Sequence, residues 1–233
     1  TPVVLVLVSG RDYDLSWADA LLPAVLEAWF PAQEGGNAIA DVLFGDVSPS
    51  GRLPISFPRS VGQLPVFYNH KPSGGRSHWQ GQYIDSPSTP LYAFGHGLSY
   101  TRFSYSDLRL SETEVSPTGS VTVSVRVTNT GDRAGEEVVQ LYVSDPIASV
   151  TRPVKQLKGF ARAALQPGET KTERFDLRHL AVYNADMQFV VEPGEIGVLI
   201  GASSEDIRAQ ASFTIVGEVT PVEQVFTTRV SIE

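Results

Sequence analysis

Four residues between positions 74 and 85 carry this chain's best case for meeting a ligand. His78, Trp79, Tyr83 and Asp85 crowd into a stretch otherwise dominated by Gly, Ser and Gln. An indole can stack on the apolar face of a pyranose ring, and an imidazole or carboxylate can bond its hydroxyls. Long loops with such residues are where binding concentrates. The competing structural role is that Trp79 anchors the loop on its own domain. Other reactive chemistry finds less support. The chain has no cysteine, which excludes disulfides, thiolate metal sites and a cysteine nucleophile. Its four histidines are scattered without metal-ligand spacing. His96 has no Ser or Cys nucleophile frame around it. No cofactor and no metal is expected.

The carboxylates of the first hundred residues read as structural. Asp12, Asp14, Glu27, Glu34, Asp41 and Asp46 join Asp85 as the candidates there. Asp14 suits a helix cap, Glu27 a helix surface, and Asp41 and Asp46 a solvated face or a turn. A lone carboxylate rarely signals chemistry by itself. Gly35-Gly36 before a helix has the makings of an anion cradle. Without a strand-GxGxxG-helix frame, close backbone packing is the better reading.

The elements that must position these residues fall into two kinds. Residues 3–8 form a continuous aliphatic run, the pattern of a strand buried on both faces of a parallel sheet. Residues 15–30 place Leu15, Ala18, Leu22, Val25, Leu26 and Trp29 near helical spacing, with Ser16 or Asp14 as cap and Pro31 as stop. A second helix is predicted over 36–44, ended by Gly45. A short strand is expected at 53–57. Residues 58–100 are dense in Pro, Gly, Ser and aromatics, and so long a loop is usually functional or braced.

After Tyr105 the period changes to two. Val121, Val123, Val125 and Val127 alternate with polar partners, and Val139, Leu141 and Val143 do so again. Asn129-Thr130-Gly131-Asp132, Gln166-Pro167-Gly168-Glu169 and Glu192-Pro193-Gly194-Glu195 are turn clusters. Strands are expected over 170–177 and at Ile196, Val198 and Ile200. Short strands at such spacing indicate a β-sandwich. The expected division is an α/β part with its linker loop over 1–102, a β-sandwich over 103–217, and an unassigned tail over 218–233.

Of the 233 residues, 42% are hydrophobic and 19% charged, enough apolar material for a real core. The formal charge is −8, and no Lys/Arg cluster stands out, so a nucleic-acid partner is not expected. No segment has the length and apolarity of a membrane span, and no membrane partner is expected. The residues leave the compartment open; a periplasmic or secreted setting is expected ahead of a cytoplasmic one.

The first hundred residues pose a physical problem. One long strand, one short strand and two helices do not close an α/β layer, whose parallel strands need covered faces and managed edges. The missing strands are expected upstream or on another chain.

Here the text becomes specific. SGRDYDLSWA, VLEAWFPAQEGGNAIADVLFGD, SGRLPISFPRSVGQLPVFYNHKPSGGR and YAFGHGLSYTRFSYSDL resemble the C-terminal third of bacterial β-glucosidases of glycoside hydrolase family 3. VTNTGDRAGEEVVQLYVSDPIASVTRPVKQLKGF, LQPGET and FVVEPGEIGVLIGASSEDIR resemble that family's fibronectin type III-like domain. The likeness runs from residue 1 to about 215. It departs at Ser9-Gly10-Arg11-Asp12, where the family's form is Ser-Gly-Arg-Pro.

The resemblance implies a fold class of α/β plus all-β: part of an (α/β)6 sandwich layer, then a fibronectin type III-like β-sandwich. It implies retaining hydrolysis of terminal β-D-glucosyl residues, with two carboxyls about 5 Å apart across the scissile bond. The family's nucleophilic aspartate lies in an N-terminal barrel, and its acid/base glutamate precedes the strand matching residues 3–8. Both are therefore expected outside this chain, which alone is expected to be inactive. The implied partners are a barrel-containing N-terminal portion or subunit and a β-glucoside or oligosaccharide. His78, Trp79, Tyr83 and Asp85 would shape a sugar subsite, and Phe94 to Tyr100 would form a rigid corner. Two other readings stand beside this one: a β-xylosidase or another exo-glycosidase of the family, and a non-catalytic carbohydrate-binding or scaffolding module standing alone.

Overall fold

The computed structural model describes residues 1–72 and 86–233. The stretch predicted to meet sugar, including His78, Trp79, Tyr83 and Asp85, lies outside the described residues.

The first part holds β1 (Val4–Leu7), α1 (Ser16–Leu21), β2 (Ala24–Glu27) and α2 (Gly35–Phe44). β1 and β2 pair in parallel, from Val4 opposite Ala24 to Leu7 opposite Glu27. The single helix predicted over 15–30 is thus two elements. Pro23 is the reason: it has no N–H and it disfavours helical angles at the residue before it. Leu22 accordingly turns extended, with φ −109° and ψ 140°. Residues 24–27 then add a strand, and Glu27 stands at a strand end, not on a helix surface. Asp14 does hold the start of α1, accepting the Ser16 N–H at 3.0 Å. Gly45 ends α2 at φ 85°, a left-handed angle that costs glycine no Cβ clash. The strand expected at 53–57 reduces to a single bridge between Phe57 and Tyr92.

Leu15, Ala18 and Phe57 form a small buried cluster, with Leu5, Leu7, Val25, Trp29 and Tyr92 packed around it. β1 is not buried on both faces as expected. Val3, Val4 and Val8 are exposed.

The second part is a sandwich. Its strands are β3 (Phe103–Leu110), β4 (Glu114–Val115), β5 (Ser120–Asn129), β6 (Gly135–Ser144), β7 (Gln156–Leu165), β8 (Thr170–Arg178), β9 (Val182–Tyr183), β10 (Phe189–Val191), β11 (Gly194–Gly201), β12 (Ile207–Ile215), β13 (Thr220–Pro221) and β14 (Arg229–Ile232). One sheet runs β4-β12-β11-β6-β7 and the other β14-β8-β5-β3, with a small sheet β13-β10-β9 beside them. The valines of β5 that alternate in sequence all face inward, meeting Val139, Leu141, Phe175, Val198 and Ile200. Each such side chain contributes about 1.5–3 kcal/mol by leaving water.

The tail also finds a place. β13 pairs with β10, and β14 pairs antiparallel with β8, placing Val230 opposite Phe175. The Thr172 N–H donates to the Glu233 carbonyl at 2.7 Å, so the tail adds an edge strand to each of two sheets. Among the described residues no helix is long and apolar enough to cross a membrane.

Candidate functional site

Among the described residues we follow three places that concentrate polar groups. The first is the ends of the parallel strands, where ligands of open α/β sheets usually sit. Ser9 follows β1, and its hydroxyl lies 3.2 Å from Glu27 Oε1 and 3.0 Å from the Arg11 carbonyl. Glu27 also accepts the Trp29 N–H at 2.9 Å. Burial pushes the Glu27 carboxyl above the usual range, and the bonds from Trp29 and Ser9 oppose that. Trp29 is held at φ 52°, a left-handed angle uncommon for a bulky residue. Its ring meets Phe57 edge-on at 6.3 Å. Sequence reasoning missed this cluster because it placed Glu27 on a helix; Pro23 was the available signal.

The second place is the corner from Phe94 to Tyr100. Leu53 and its neighbours clasp it from one side: Leu53 N–H donates to the His96 carbonyl at 2.9 Å, and Gly95 N–H to the Leu53 carbonyl at 2.7 Å. The sandwich clasps it from the other. Gln140 of β6 donates to the carbonyls of Gly95 at 3.1 Å and Ala202 at 2.7 Å, while Tyr142 OH donates to Gln140 Oε1 at 2.6 Å. Gly95 sits at φ 80°, and a Cβ there would stand 2.0 Å from Gln140 Oε1. Phe94 stacks on Tyr68 at 4.3 Å, and Tyr68 meets Tyr142 edge-on. His96 stacks on Tyr92 at 5.4 Å. Burial first, then Arg52, hold its imidazole below the ordinary range, with Asp206 pulling the other way. These groups hold two layers together, and His96 is stacked and part-buried among them.

The third place is polar and buried inside one end of the sandwich. Arg52 reaches in from the α/β part and pairs with Glu137 of β6 at 2.8 Å. Tyr105 OH donates to the other Glu137 oxygen at 2.7 Å. Glu173 of β8 is fully buried, and neither carboxyl oxygen has a hydrogen-bond partner. Burial, with the Glu137 charge adding, pushes Glu173 up to about 8. Burial raises Glu137 too, and Arg52 opposes it most. A raised carboxyl is what a general acid needs. Here, however, both acids are closed to solvent, Glu137 at 3% exposure and Glu173 at 0%, so no substrate reaches them. No group of three or more His, Cys, Asp or Glu that could hold a metal occurs among the described residues.

Comparison with known proteins agrees with this layout. Residues 1–100 match the glycosyl hydrolase family 3 C-terminal domain. Residues 137–204 match the fibronectin type III-like domain. A periplasmic β-glucosidase of Salmonella typhimurium is 50% identical over 222 residues, which is 92% of this chain and 29% of the relative. A β-xylosidase of Formosa agariphila is 48% identical over 206 residues, 88% of this chain and 28% of the relative. The crystal structure of a β-glucosidase from Listeria innocua with isofagomine superposes with a TM-score of 0.87 at 39% identity, covering 94% of this chain and 32% of that one. The chain therefore spans roughly three tenths of the length of the relatives it matches.

Proposed function

The chain belongs to the C-terminal region of glycoside hydrolase family 3, and on that premise we propose that it completes a retaining exo-β-glucosidase acting on terminal β-D-glucosyl residues. The observation that carries this reading is the set of large apolar side chains left exposed on the α/β part. Phe44 is 86% exposed, Phe30 77%, Leu21 75% and Trp17 55%, and Val3, Val4 and Val8 are exposed as well. Surfaces of this kind mark places where another protein layer packs. The relatives' greater length offers such a layer. These side chains also weigh against a module that stands alone.

In this reading residues 1–102 finish the α/β sandwich, 103–217 form the fibronectin-like module, and 218–233 are its strand-forming tail. The nucleophilic Asp and the acid/base Glu come from the barrel-containing portion, and this chain alone is inactive. His78, Trp79, Tyr83 and Asp85 meet the sugar, Trp79 by stacking and the others by bonding hydroxyls. Residue type and loop length support that assignment. The rigid corner and the Arg52–Glu137 bridge hold the module against the layer that carries the loop.

The Formosa relative favours a second reading, β-xylosidase, within the same chemistry. The complete enzyme assayed on 4-nitrophenyl β-D-glucoside and β-D-xyloside decides between them by kcat/KM. Proton NMR of the first-formed sugar tests the mechanism: the β-anomer is expected, and initial α-anomer contradicts a retaining reaction.

A further inference from the structure

An open sheet edge is a template for pairing with another chain, and folded proteins blunt such edges. In this sandwich most edges are blunted by the strand itself. Among the described residues, β4 is only two residues long. β3 breaks its register between Ser106 and Arg109, where Asp107 sits at φ 52°. β7 breaks its register opposite Leu141 and Tyr142, which makes Lys158 an extra residue, and the Thr228 hydroxyl donates to the Lys158 carbonyl. Bulges of this kind bend an edge away from a partner. β8 differs. Its nine residues run in unbroken register against β5, from Thr170 opposite Thr128 to Arg178 opposite Ser120. Its outer edge is covered by β14.

That cover is held mainly by backbone bonds. The Thr172 N–H donates to the Glu233 carbonyl at 2.7 Å, and the Glu233 N–H donates to the Thr172 carbonyl at 2.9 Å. Antiparallel pairing points every second residue's N–H and C=O the same way, so Arg174 and Asp176 face this edge too, opposite Ser231 and Arg229. Side chains add little. All four residues of β14 are exposed. The Arg174–Glu233 ion pair at 3.1 Å lies at the surface, where such pairs contribute weakly. Residues 222–228 before β14 belong to no helix or strand, and Phe226 is 83% exposed. A segment with so few buried apolar contacts opens more easily than the core it lies on.

The edge beneath is complementary to itself. With β14 lifted, Thr172, Arg174 and Asp176 each present an unpaired N–H and C=O. Two such edges can run antiparallel about a two-fold axis centred at Phe175, which sets Arg174 of each copy opposite Asp176 of the other. In the covered state Asp176 faces Arg229 and Arg174 pairs with Glu233, so a second copy repeats the charge pattern of the tail. Arg178 takes Asp176 Oδ2 at 2.9 Å, which leaves Oδ1 to the second copy.

We propose that residues 223–233 are a removable edge cover, and that the β8 edge beneath them is a pairing site for a second copy of this chain. Tail and second copy compete for the same backbone groups, so the tail sets the assembly state. The pairing does not depend on the sugar chemistry.

Size exclusion with light scattering on the complete enzyme, each variant against its parent, tests this. Deleting residues 223–233 should raise the mass about twofold as concentration increases. Ser231→Pro removes the N–H that faces Arg174 and should do the same with the tail still attached. Adding Asp176→Arg to either variant sets Arg against Arg across the axis and should restore the parent mass. Far-UV circular dichroism checks the fold, and Ser231→Pro decides the matter if the deletion unfolds. Parent mass at every concentration overturns the proposal, as does a doubled mass that Asp176→Arg leaves unchanged. Mass is read without substrate, so this proposal and the glucosidase reading fail separately.

Discussion

Glu173 makes the sandwich alkali-sensitive, and removing its charge should stabilise the protein. Its carboxyl is fully buried, and its two oxygens have no hydrogen-bond partner. The charge that acts on it is Glu137 on β6, which raises it; Arg52 and Arg208 act on Glu137 in turn, Arg52 through a direct ion pair. Tyr105 OH on β3 is likewise bound to Glu137. The folded carboxyl titrates at about 8 against an ordinary 4.5. Because its folded value is raised, the folded state holds a proton that the unfolded state has lost between those pH values. Stability from this group is full below pH 4.5 and falls as pH rises toward 8. At 1.36 kcal/mol per unit, the loss is about 3 kcal/mol at pH 7 and about 5 kcal/mol above pH 8. Glu173→Gln removes the titration and keeps the shape. Urea unfolding at pH 5, 7 and 9, followed by far-UV circular dichroism, should show variant and parent nearly equal at pH 5. The variant should then be increasingly more stable at pH 7 and 9. Parallel curves across that range would refute the reasoning.

Other expectations concern the joint and the loop. Arg52→Met leaves Glu137 buried with Tyr105 alone and should cost about 3–5 kcal/mol, the usual penalty for breaking a buried pair, read as a drop in urea midpoint. Gly95→Ala forces a side chain into a left-handed angle and drives a Cβ against Gln140; the angle alone costs about 1–2 kcal/mol, and calorimetry should show a lower Tm. Trp79→Ala in the complete enzyme should raise KM for disaccharides several-fold, and unchanged KM and kcat remove Trp79 from the sugar site.

Much of the sandwich was legible because its signals are local. Strict alternation over Val121 to Val127 needs only neighbouring residues to declare which face is buried, and the Pro-Gly turn clusters mark where strands stop. The α/β part was harder. Helical spacing over 15–30 outweighed Pro23 in the reading, although one proline removes a hydrogen bond and restricts its neighbour. That single residue turned a predicted helix into a helix and a strand and moved Glu27 to a strand end. The run at residues 3–8 reads as fully buried, yet Val3, Val4 and Val8 are exposed. Periodicity reports what a strand is built to bury, not what is there to bury it. The buried acids show the opposite limit. Glu173 falls on the inward face by its spacing from Phe175 and Leu177, so its oddness was visible in the text. The Arg52–Glu137 bridge was not, because 85 residues separate its partners and only the packed joint brings them together.

The claim that this chain completes an enzyme whose reacting carboxyls lie elsewhere is tested most directly by mixing. The chain and the barrel-containing portion, each produced separately, are assayed on 4-nitrophenyl β-D-glucoside alone and together. Activity is expected only in the mixture, and it should be lost with Phe44→Asp. Hydrolysis by the chain alone would contradict the account, as would a stable but inactive complex of the two parts.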